Sequence, residues 1–246
     1  MIEIENLSKT FNAGLPHEKK VLKNVNLSIA SGSTQFLLGG NGAGKTTILR
    51  IISTLLSFEQ GKILVNSMDV EKNSMEIKRS MGFFSANTGL YERLNGREFL
   101  DYFAILYGLE SEIYESRLKS IIDLLKLQDC METKCLYLSS GQKQKVNIAR
   151  ALIHDPPIYI MDEPTLGLDI ETSAAVLDFI IMAQKANKTL LIVTHNMDLV
   201  QNLGGQIAFL VKGEIAINTS LAELYKQSNS QSLTEAFRFY EKKQTG

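Results

Sequence analysis

One stretch of this chain, residues 36–50, constrains its fold more than any other, and it reads FLLGGNGAGKTTILR. An apolar run ends at Gly39, a glycine-rich turn follows, and an amphipathic segment begins at Lys45. Strand, glycine loop and helix in that order are the setting in which G-x-x-x-x-G-K-[ST] indicates a phosphate-binding loop. Such a loop needs small residues because its backbone N–H groups must converge on phosphate oxygens, and the N-terminus of the next helix adds further donors.

The sequence therefore predicts that this stretch binds a nucleoside triphosphate. We expect Lys45 to place its charge against the β- and γ-phosphates, and the Thr46 hydroxyl to bind Mg²⁺. The predicted binding residues are Gly39, Gly40, Asn41, Gly42, Ala43, Gly44, Lys45, Thr46 and Thr47. The loop alone does not distinguish among a kinase, a switch, a motor and a transporter subunit.

Two acidic residues, Asp162 and Glu163, directly follow the apolar run at residues 158–161. Adjacent carboxylates at the end of a buried strand are costly unless a cation or a reaction uses them. We expect Asp162 to belong to the Mg²⁺ shell, directly or through water. We expect Glu163 to orient an attacking water beyond the γ-phosphate and to accept its proton. The alternative is a solvated strand end, and the phosphate loop favours the catalytic interpretation.

A third motif lies at residues 138–152, LSSGQKQKVNIARAL. Ser139 stands three residues before Gln142, which is the spacing of a capping box, so a helix is predicted to begin here. A helix N-terminus with a Ser hydroxyl and the bare Gly141 is also an anion site. A well-capped helix without a ligand is the alternative. One chain has no evident use for two anion sites on a single nucleotide, whereas a dimer does.

Composition and the arrangement of apolar runs limit the class of protein. Hydrophobic content of 44%, charged content of 22% and a net charge of −1 are those of an ordinary globular protein without a broad electrostatic surface for nucleic acid or anionic lipid. The N-terminus lacks the pattern of a secretory signal, and no apolar run approaches the ~20 residues that span a bilayer. Cys130 and Cys135 are too few for a metal cluster or a disulfide framework, so we expect two buried cysteines in a reducing cytoplasm.

The pattern of elements along the chain predicts an α/β architecture. Apolar runs alternate with helical patterns after residue 150, which is typical of a parallel sheet with crossover helices. Residues 85–150 show helical spacing, with helices predicted at residues 94–108 and 112–127, and are expected to form an inserted subdomain. Residues 207–211 and 214–217 are expected to form a closing hairpin. The polar residues 9–20, which include Phe11, are expected to form a loop.

These motifs occur in an order that resembles ATP-binding subunits of ABC transporters. The phosphate loop, LSSGQ, the DEPT sequence at residues 162–165, Leu168-Asp169 and the VTH sequence at residues 193–195 all match, and the resemblance covers nearly the whole chain. Residues 82–94, GFFSANTGLYERL, look most like those of sodium-efflux (Nat-type) and drug-export subunits.

The resemblance implies a P-loop NTPase core with a mixed, largely parallel sheet, an antiparallel β subdomain and an inserted α-helical subdomain. We predict a single ABC-type ATPase domain over residues 1–246. Its parts are a core at residues 1–84 and 151–219, a helical subdomain at residues 85–150 and a helical tail at residues 220–246.

The resemblance also implies a head-to-tail dimer, homo- or heteromeric, that holds two ATP molecules with Mg²⁺ between its subunits. The phosphate loop of one subunit would face Ser139, Ser140, Gly141 and Gln142 of the other. By family role, Phe11 stacks on adenine, Asp169 belongs to the loop that links the two sites, and His195 contacts the γ-phosphate. Glu163 and His195 are thus the predicted catalytic residues.

The sequence departs from the family pattern at four positions. Gly40 stands where proline is usual, Ser140 replaces a glycine, and Leu166 stands where a small residue is common. Ala86 stands where the family has the glutamine that touches Mg²⁺ and relays to the membrane subunit. Whether Asn87 or Ser85 takes over that glutamine's part stays open.

The resulting prediction is an ATP-binding and ATP-hydrolysing subunit of a membrane ABC exporter. It would lie peripherally at the cytoplasmic face of the cell membrane and drive a separate membrane-spanning subunit, without nucleic acid as a partner. The alternative is a soluble ABC-type ATPase acting on DNA or ribosomes, but such proteins carry long coiled-coil insertions or tandem nucleotide domains. A small-molecule kinase would need an acceptor pocket and has no use for LSSGQ. The transported substrate is not encoded in this subunit.

Overall fold

Two β-sheets organise the chain, and helices cover their faces. The computed structural model describes residues 1–85 and 88–244. The strands are β1 (Ile2–Phe11), β2 (Lys19–Ile29), β3 (Thr34–Gly39), β4 (Gln60–Val65), β5 (Met68–Asp69), β6 (Met81–Ser85), β7 (Ile158–Asp162), β8 (Thr189–Val193), β9 (Gln206–Val211) and β10 (Glu214–Ser220). The helices are α1 (Lys45–Ile52), α2 (Ser74–Arg79), α3 (Gly96–Tyr107), α4 (Ser111–Leu125), α5 (Gln128–Met131), α6 (Ser140–Leu152), α7 (Ile170–Lys185), α8 (Met197–Leu203), α9 (Leu221–Ser228) and α10 (Leu233–Lys243).

The larger sheet has six strands in the order β10-β9-β3-β8-β7-β6. Its strands are parallel except for β10, which pairs antiparallel with β9 at one edge. Every residue of β3, β7 and β8 is buried, as expected for parallel strands covered on both faces. Because parallel strands end at the same edge, Gly39, Ser85, Asp162 and Val193 come to lie along one side of the sheet.

The smaller sheet is antiparallel, with the order β2-β1-β4-β5. Its inner face packs on α1 and on part of the larger sheet, in a core that includes Ile4, Leu27, Ile48, Ile63 and Leu210. The mixed, largely parallel sheet, the antiparallel sheet and the helices between β6 and β7 confirm the predicted fold class.

The predicted loop at residues 9–20 is wrong at both ends. Strand β1 continues through Phe11, β2 begins at Lys19, and these two residues pair across the strands. The polar residues at the end of β1 are paired rather than solvated, because the carboxylate of Glu59 accepts hydrogen bonds from the Lys9 side chain and from the Thr10 N–H. Only residues 12–18 connect the two strands.

Four helices, α3 to α6, lie between β6 and β7, and they share a core with the larger sheet through residues such as Phe84, Phe99, Leu118 and Val146. The helix predicted at residues 94–108 is confirmed as α3, which begins at a capping box formed by Asn95 and Glu98. The predicted subdomain limits coincide with the end of β6 on one side and fall two residues before the end of α6 on the other. The division into subdomains stays a prediction.

The C-terminal part of the chain closes the sheet and then folds back on it. The predicted hairpin is confirmed as β9 and β10, joined at Lys212 and Gly213. Helix α10 packs Phe237 and Tyr240 edge-on against Phe209 of β9. Both cysteines are buried and unpaired, as predicted. Among residues 1–85 and 88–244, no helix has the length and apolarity needed to cross a bilayer.

Candidate active site

The phosphate loop joins β3 to α1 and depends on glycine at two positions where the backbone is crowded. A Cβ on Gly39 would lie 2.4 Å from the carbonyl oxygen of Leu210, and one on Gly44 would lie 2.6 Å from Cδ2 of Leu22. Gly44 also has a φ of 110°, and Gly42 has a φ of 74°, both in the region that favours glycine. A Cβ on Gly40 or Gly42 would meet open space, so the loop backbone there is accessible to a ligand.

Lys45 extends along the loop that it closes. Its Nζ donates hydrogen bonds to the carbonyl oxygens of Gly39, at 2.7 Å, and Gly40, at 3.0 Å. Burial lowers the pKa of Lys45, and the nearby carboxylates of Glu163 and Asp162 oppose that shift. The side chain is therefore a buried ammonium held between the loop and two acids.

The loop and the acidic strand end meet at Thr46 and Asp162. The Thr46 hydroxyl donates a 2.9 Å hydrogen bond to Oδ2 of Asp162, which joins α1 to the end of β7. Asp162 is buried, and it lies in register with the buried Ser85 of β6. The side chains of Thr46, Asp162 and Ser85 all end in hard oxygen atoms, which are the ligands that Mg²⁺ prefers. Within the described residues, no group of three or more His, Cys, Asp or Glu side chains is placed to hold a metal ion.

Glu163 adopts an uncommon backbone conformation at this edge, with a φ of 52°. Its N–H donates to the carbonyl oxygen of Val193 at 2.8 Å, which fixes the residue to the end of β8. Oε2 accepts a 3.3 Å hydrogen bond from the N–H of His195. Oε1 is buried and has no hydrogen-bond partner among the described residues, although Nε2 of His195 stands 3.5 Å away. A buried carboxylate oxygen without a donor is suited to accept one from a water or a ligand.

An open cleft of about 540 Å³ contains these groups. Its walls are Lys19, Val21, Asn41, Gly42, Ala43, Gly44, Lys45, Thr46, Thr47, Ser85, Asp162, Glu163, Leu166, Val193 and His195. The structure thus brings together most of the predicted phosphate loop with both acids and His195. The sequence did not predict Lys19 and Val21 as part of the site. Both belong to β2 of the antiparallel sheet, and no local sequence pattern indicates that they reach the cleft. Leu166 was noted only as an unusual residue.

The remaining predicted residues lie outside this cleft. Phe11 stands at the end of β1 and is 37% exposed, while its pairing partner Lys19 reaches the wall. Gly39 and Gly40 contribute carbonyls to Lys45 rather than a surface to the cleft. Ala86 and Asn87 fall outside the described residues. Of the two residues considered as substitutes for the family's glutamine, Ser85 lines the cleft, and Asn87 is not described.

The LSSGQ segment begins α6 away from the chain's own cleft. The Ser139 hydroxyl accepts from the N–H of Gln142, and the Gln142 side chain accepts from the N–H of Ser139, so the predicted capping box is confirmed. Ser139 and Ser140 are exposed. A Cβ built on Gly141 would have as its nearest neighbour the carbonyl oxygen of Gly167, 4.0 Å away. This helix N-terminus is open to a partner.

Asp169 lies beside that surface and begins α7. Its carboxylate accepts hydrogen bonds from the N–H of Thr172 at 2.8 Å and from the Thr172 hydroxyl at 3.0 Å. These bonds, with the nearby charge of Lys145, hold the pKa of Asp169 below its usual value. Lys145 of α6 stands 3.7 Å from the same carboxylate, so Asp169 ties the beginnings of the two helices together.

Comparison with known proteins places these features in one family. The pattern of the family described as ABC transporter matches residues 22–166. The ABC transporter ATP-binding protein NatA of Bacillus subtilis (strain 168) is 39% identical over 241 residues, which are 96% of this chain and 96% of that protein. The methionine import ATP-binding protein MetN of Clostridium acetobutylicum is 33% identical over 236 residues, 94% of this chain and 72% of that protein. A solved dimeric ATP-binding cassette in a post-hydrolysis state, with ADP and phosphate bound, superimposes with a TM-score of 0.81 at 28% identity and covers 90% of this chain and 99% of that chain.

Proposed function

This chain belongs to the ABC transporter family as an ATP-binding subunit with ATPase activity, and on that premise we propose that it powers a membrane exporter. The observation that carries the proposal is the 2.9 Å hydrogen bond between Thr46 and Asp162. It brings a phosphate loop and an acidic strand end, which are distant in sequence, to the two sides of one cleft. Binding and hydrolysis of a triphosphate require both sides.

The phosphate loop binds ATP through its backbone N–H groups and through Lys45. The loop backbone at Gly40 and Gly42 faces open space, so its N–H groups can approach phosphate, and the ammonium of Lys45 neutralises charge on the β- and γ-phosphates. Thr46 and Asp162 would hold Mg²⁺, whose positive charge would offset the negative charge of the phosphates.

Glu163 and His195 act at the far end of the cleft. The unpartnered Oε1 of Glu163 accepts a hydrogen bond from the attacking water and takes its proton as the water oxygen bonds to the γ-phosphorus. The bond from that phosphorus to the β–γ bridging oxygen breaks in the same step, and ADP is the leaving group. His195 lies beside it, with its backbone N–H bonded to Oε2, and this orients the carboxylate. Half of the His195 side chain is exposed, so its Nε2, which stands 3.5 Å from Oε1 of Glu163, can also turn toward a γ-phosphate oxygen.

The open surface at the start of α6 supplies the second half of the site in a partner subunit. Ser139, Ser140, Gly141 and Gln142 lie outside the chain's own cleft, yet they form a helix N-terminus suited to an anion. In a head-to-tail dimer they reach the γ-phosphate held by the opposite phosphate loop, and Asp169 lies between the two sites. The solved relative with ADP and phosphate is dimeric, which supports this arrangement.

We infer that a separate membrane-spanning protein uses the motion of this dimer, and that the subunit sits peripherally at the cytoplasmic face of the cell membrane. The helices between β6 and β7, residues 85–150, would form the subdomain that couples the two. Export is favoured over import by the resemblance of residues 82–94 to efflux subunits and by the higher identity to NatA than to MetN.

Purification of the tagged full chain from detergent-extracted membranes tests this function. We expect a protein with several membrane spans to co-purify in stoichiometric amount, and mass spectrometry would identify it. Recovery of the chain with ribosomes or DNA, and without any membrane protein, would support the soluble alternative instead. In vesicles turned inside out, with ATP added outside, an exporter fills the lumen with its cargo, whereas an importer empties it.

A further inference from the structure

A buried cation stands against the aromatic residue at the end of β1. The Nζ of Lys9 lies over the ring of Phe11, 5.3 Å from its centroid. Lys9 is only 7% exposed, whereas Phe11 is 37% exposed. An ammonium within about 6 Å of a ring centroid is attracted to the ring face, more strongly when it is desolvated. One side of the Phe11 ring is therefore held by a buried charge, while much of the residue faces solvent.

Glu59 holds both the cation and the strand end that carries the ring. One carboxylate oxygen forms an ion pair with the Lys9 side chain, and the other accepts a 2.7 Å hydrogen bond from the N–H of Thr10. Partial burial raises the pKa of Glu59, but the bonds from Lys9 and Thr10 outweigh it and hold the pKa below its usual value. The carboxylate of Glu59 thus stays charged and binds Lys9 and Thr10, the two residues just before Phe11.

Glu59 binds β1 at a point where the pairing of β1 with β2 is irregular. The pairing of β1 with β2 shifts register between Leu7 and Lys9 and again between Lys9 and Thr10. Such irregularities re-aim side chains and leave backbone groups without their usual partners. Glu59 lies between α1, which begins at the phosphate loop, and β4. The ion pair therefore ties the strand end that carries Phe11 to the segment just before β4.

We propose that Lys9, held by Glu59, is a positioning residue that fixes the Phe11 ring as a platform for the adenine base. The inference rests on the proposed function and on the family resemblance, which implies that Phe11 stacks on the base of ATP. A ring that is already fixed loses less side-chain freedom when the base binds. Lys19, the cross-strand partner of Phe11, lines the phosphate cleft, so Phe11 stands one strand away from that wall.

The competing explanation is that the Lys9–Glu59 ion pair stabilises the fold and has no effect on the Phe11 ring. Two probes separate them, because inorganic tripolyphosphate carries the phosphates of ATP without its base. A positioning role predicts weaker binding of ATP but unchanged binding of tripolyphosphate. General loss of stability, or loss of a charge that attracts phosphate, predicts the same change for both probes.

The experiment uses the full chain and the variant Lys9→Met, which keeps an apolar stem and removes the charge. Lys62→Met is the matched control, since Lys62 is an exposed lysine of the same sheet that pairs with Glu5. Calorimetric titration with a non-hydrolysable ATP analogue and with tripolyphosphate gives the two affinities. We expect Lys9→Met to weaken binding of the analogue by about threefold to tenfold. Its affinity for tripolyphosphate, and both affinities of Lys62→Met, should equal those of the parent.

The same titration in a Phe11→Ala background completes the test. If Lys9 acts through the ring, Lys9→Met has no further effect once the ring is gone. An equal loss in both backgrounds, or no loss in the parent background, overturns the inference while ATP binding itself stands. A parent chain that fails to bind the analogue would instead contradict the proposed function.

Discussion

Nε2 of His195 stands 3.5 Å from Oε1 of Glu163, and the backbone N–H of His195 bonds the other oxygen of the same carboxylate. The histidine that follows β8 therefore holds the acid that follows β7. Oε1 is buried and has no hydrogen-bond partner among the described residues, so the carboxylate keeps one acceptor for a water or a ligand.

Replacing the Glu163 carboxylate with an amide should stop turnover and spare binding. Glu163→Gln keeps the shape of the side chain but cannot take a proton, and positioned general bases contribute about 10²–10⁴-fold. We expect ATP hydrolysis to fall by that factor and ATP affinity to stay within about twofold of the parent. A phosphate-release assay and equilibrium binding measure the two quantities. Turnover within a factor of about three of the parent would exclude Glu163 as the base.

Removing the buried ammonium of the phosphate loop should abolish nucleotide binding. Lys45 is held between the loop carbonyls and two carboxylates, where it would contact phosphate. Lys45→Ala deletes that contact and leaves Asp162 and Glu163 to repel the triphosphate. Lys78→Ala, an exposed lysine of α2, is the control and should bind as the parent does. Unchanged ATP affinity in Lys45→Ala would show that the loop does not bind the phosphates.

Phe11 should tolerate other aromatic residues but not alanine. Stacking uses the ring face, and base–aromatic contacts are worth ~1–3 kcal/mol. We expect the Ala variant to bind ATP between about fivefold and a hundredfold more weakly, with Tyr and Trp variants close to the parent. Titration of each variant with ATP measures this. Equal affinity of the Ala variant would return Phe11 to an ordinary residue of the sheet edge.

His154 should make the fold less stable in mild acid. Its ring stacks on Tyr107 with centroids 3.7 Å apart, Nε2 bonds the carbonyl oxygen of Met81 at 3.1 Å, and the buried Nδ1 has no hydrogen-bond partner among the described residues. Burial lowers the pKa of His154 to about 4, against the opposing effect of the Met81 carbonyl. A proton on Nδ1 would be buried without an acceptor, so the folded state excludes it.

Below a pH of about 6.5 the unfolded chain binds a proton at this histidine, whereas the folded chain does not until a pH of about 4. This contribution to the free energy of unfolding is therefore fully present above a pH of about 6.5. Between that pH and a pH of about 4, each unit of acidification lowers the free energy of unfolding by about 1.4 kcal/mol. His154→Gln keeps a donor for Met81 and removes the titration. Urea unfolding at pH 7 and pH 5 should show about 2 kcal/mol less loss in this variant. His17→Gln, in the exposed connection of β1 and β2, is the control, and equal pH dependence in parent and His154→Gln would refute the assignment.

Local motifs allowed much of the fold and candidate site to be predicted from the sequence. The phosphate loop, the acids after β7 and the capping box at Ser139 each depend on a few neighbouring residues, and the structure has the predicted strand, turn or helix at each. Their functional roles stay predictions. The alternation of short apolar runs was enough to predict the parallel sheet, because buried parallel strands are apolar along their whole length.

What could not be predicted depends on contacts between distant parts of the chain. The polar end of β1 was expected to be a loop because Glu59, which pairs Lys9 and Thr10, lies far along the sequence. Lys19 and Val21 reach the cleft because the antiparallel sheet packs beside the phosphate loop, as the contact between Gly44 and Leu22 shows. Hydrophobic periodicity carries no information about such pairings.

If each ATP site is shared between two subunits, a mixture of two inactive variants should regain ATPase activity. Glu163→Gln removes the proposed base from the cleft, and Gly141→Asp places a negative charge where the opposite subunit's γ-phosphate would dock. Because Gly141 lies outside the chain's own cleft, Gly141→Asp should bind ATP as a monomer and still fail to hydrolyse it. A mixture of parent and Glu163→Gln subunits first measures how far one impaired site slows the other.

In a head-to-tail dimer of Glu163→Gln with Gly141→Asp, one site collects both defects and the other is intact. The measurement is the ATPase rate of the mixture, with formation of mixed dimers verified by two different affinity tags. We expect activity to return to about the level that the parent and Glu163→Gln mixture sets for one working site. A mixture that stays inactive, although mixed dimers form and that control mixture is active, would contradict a shared site.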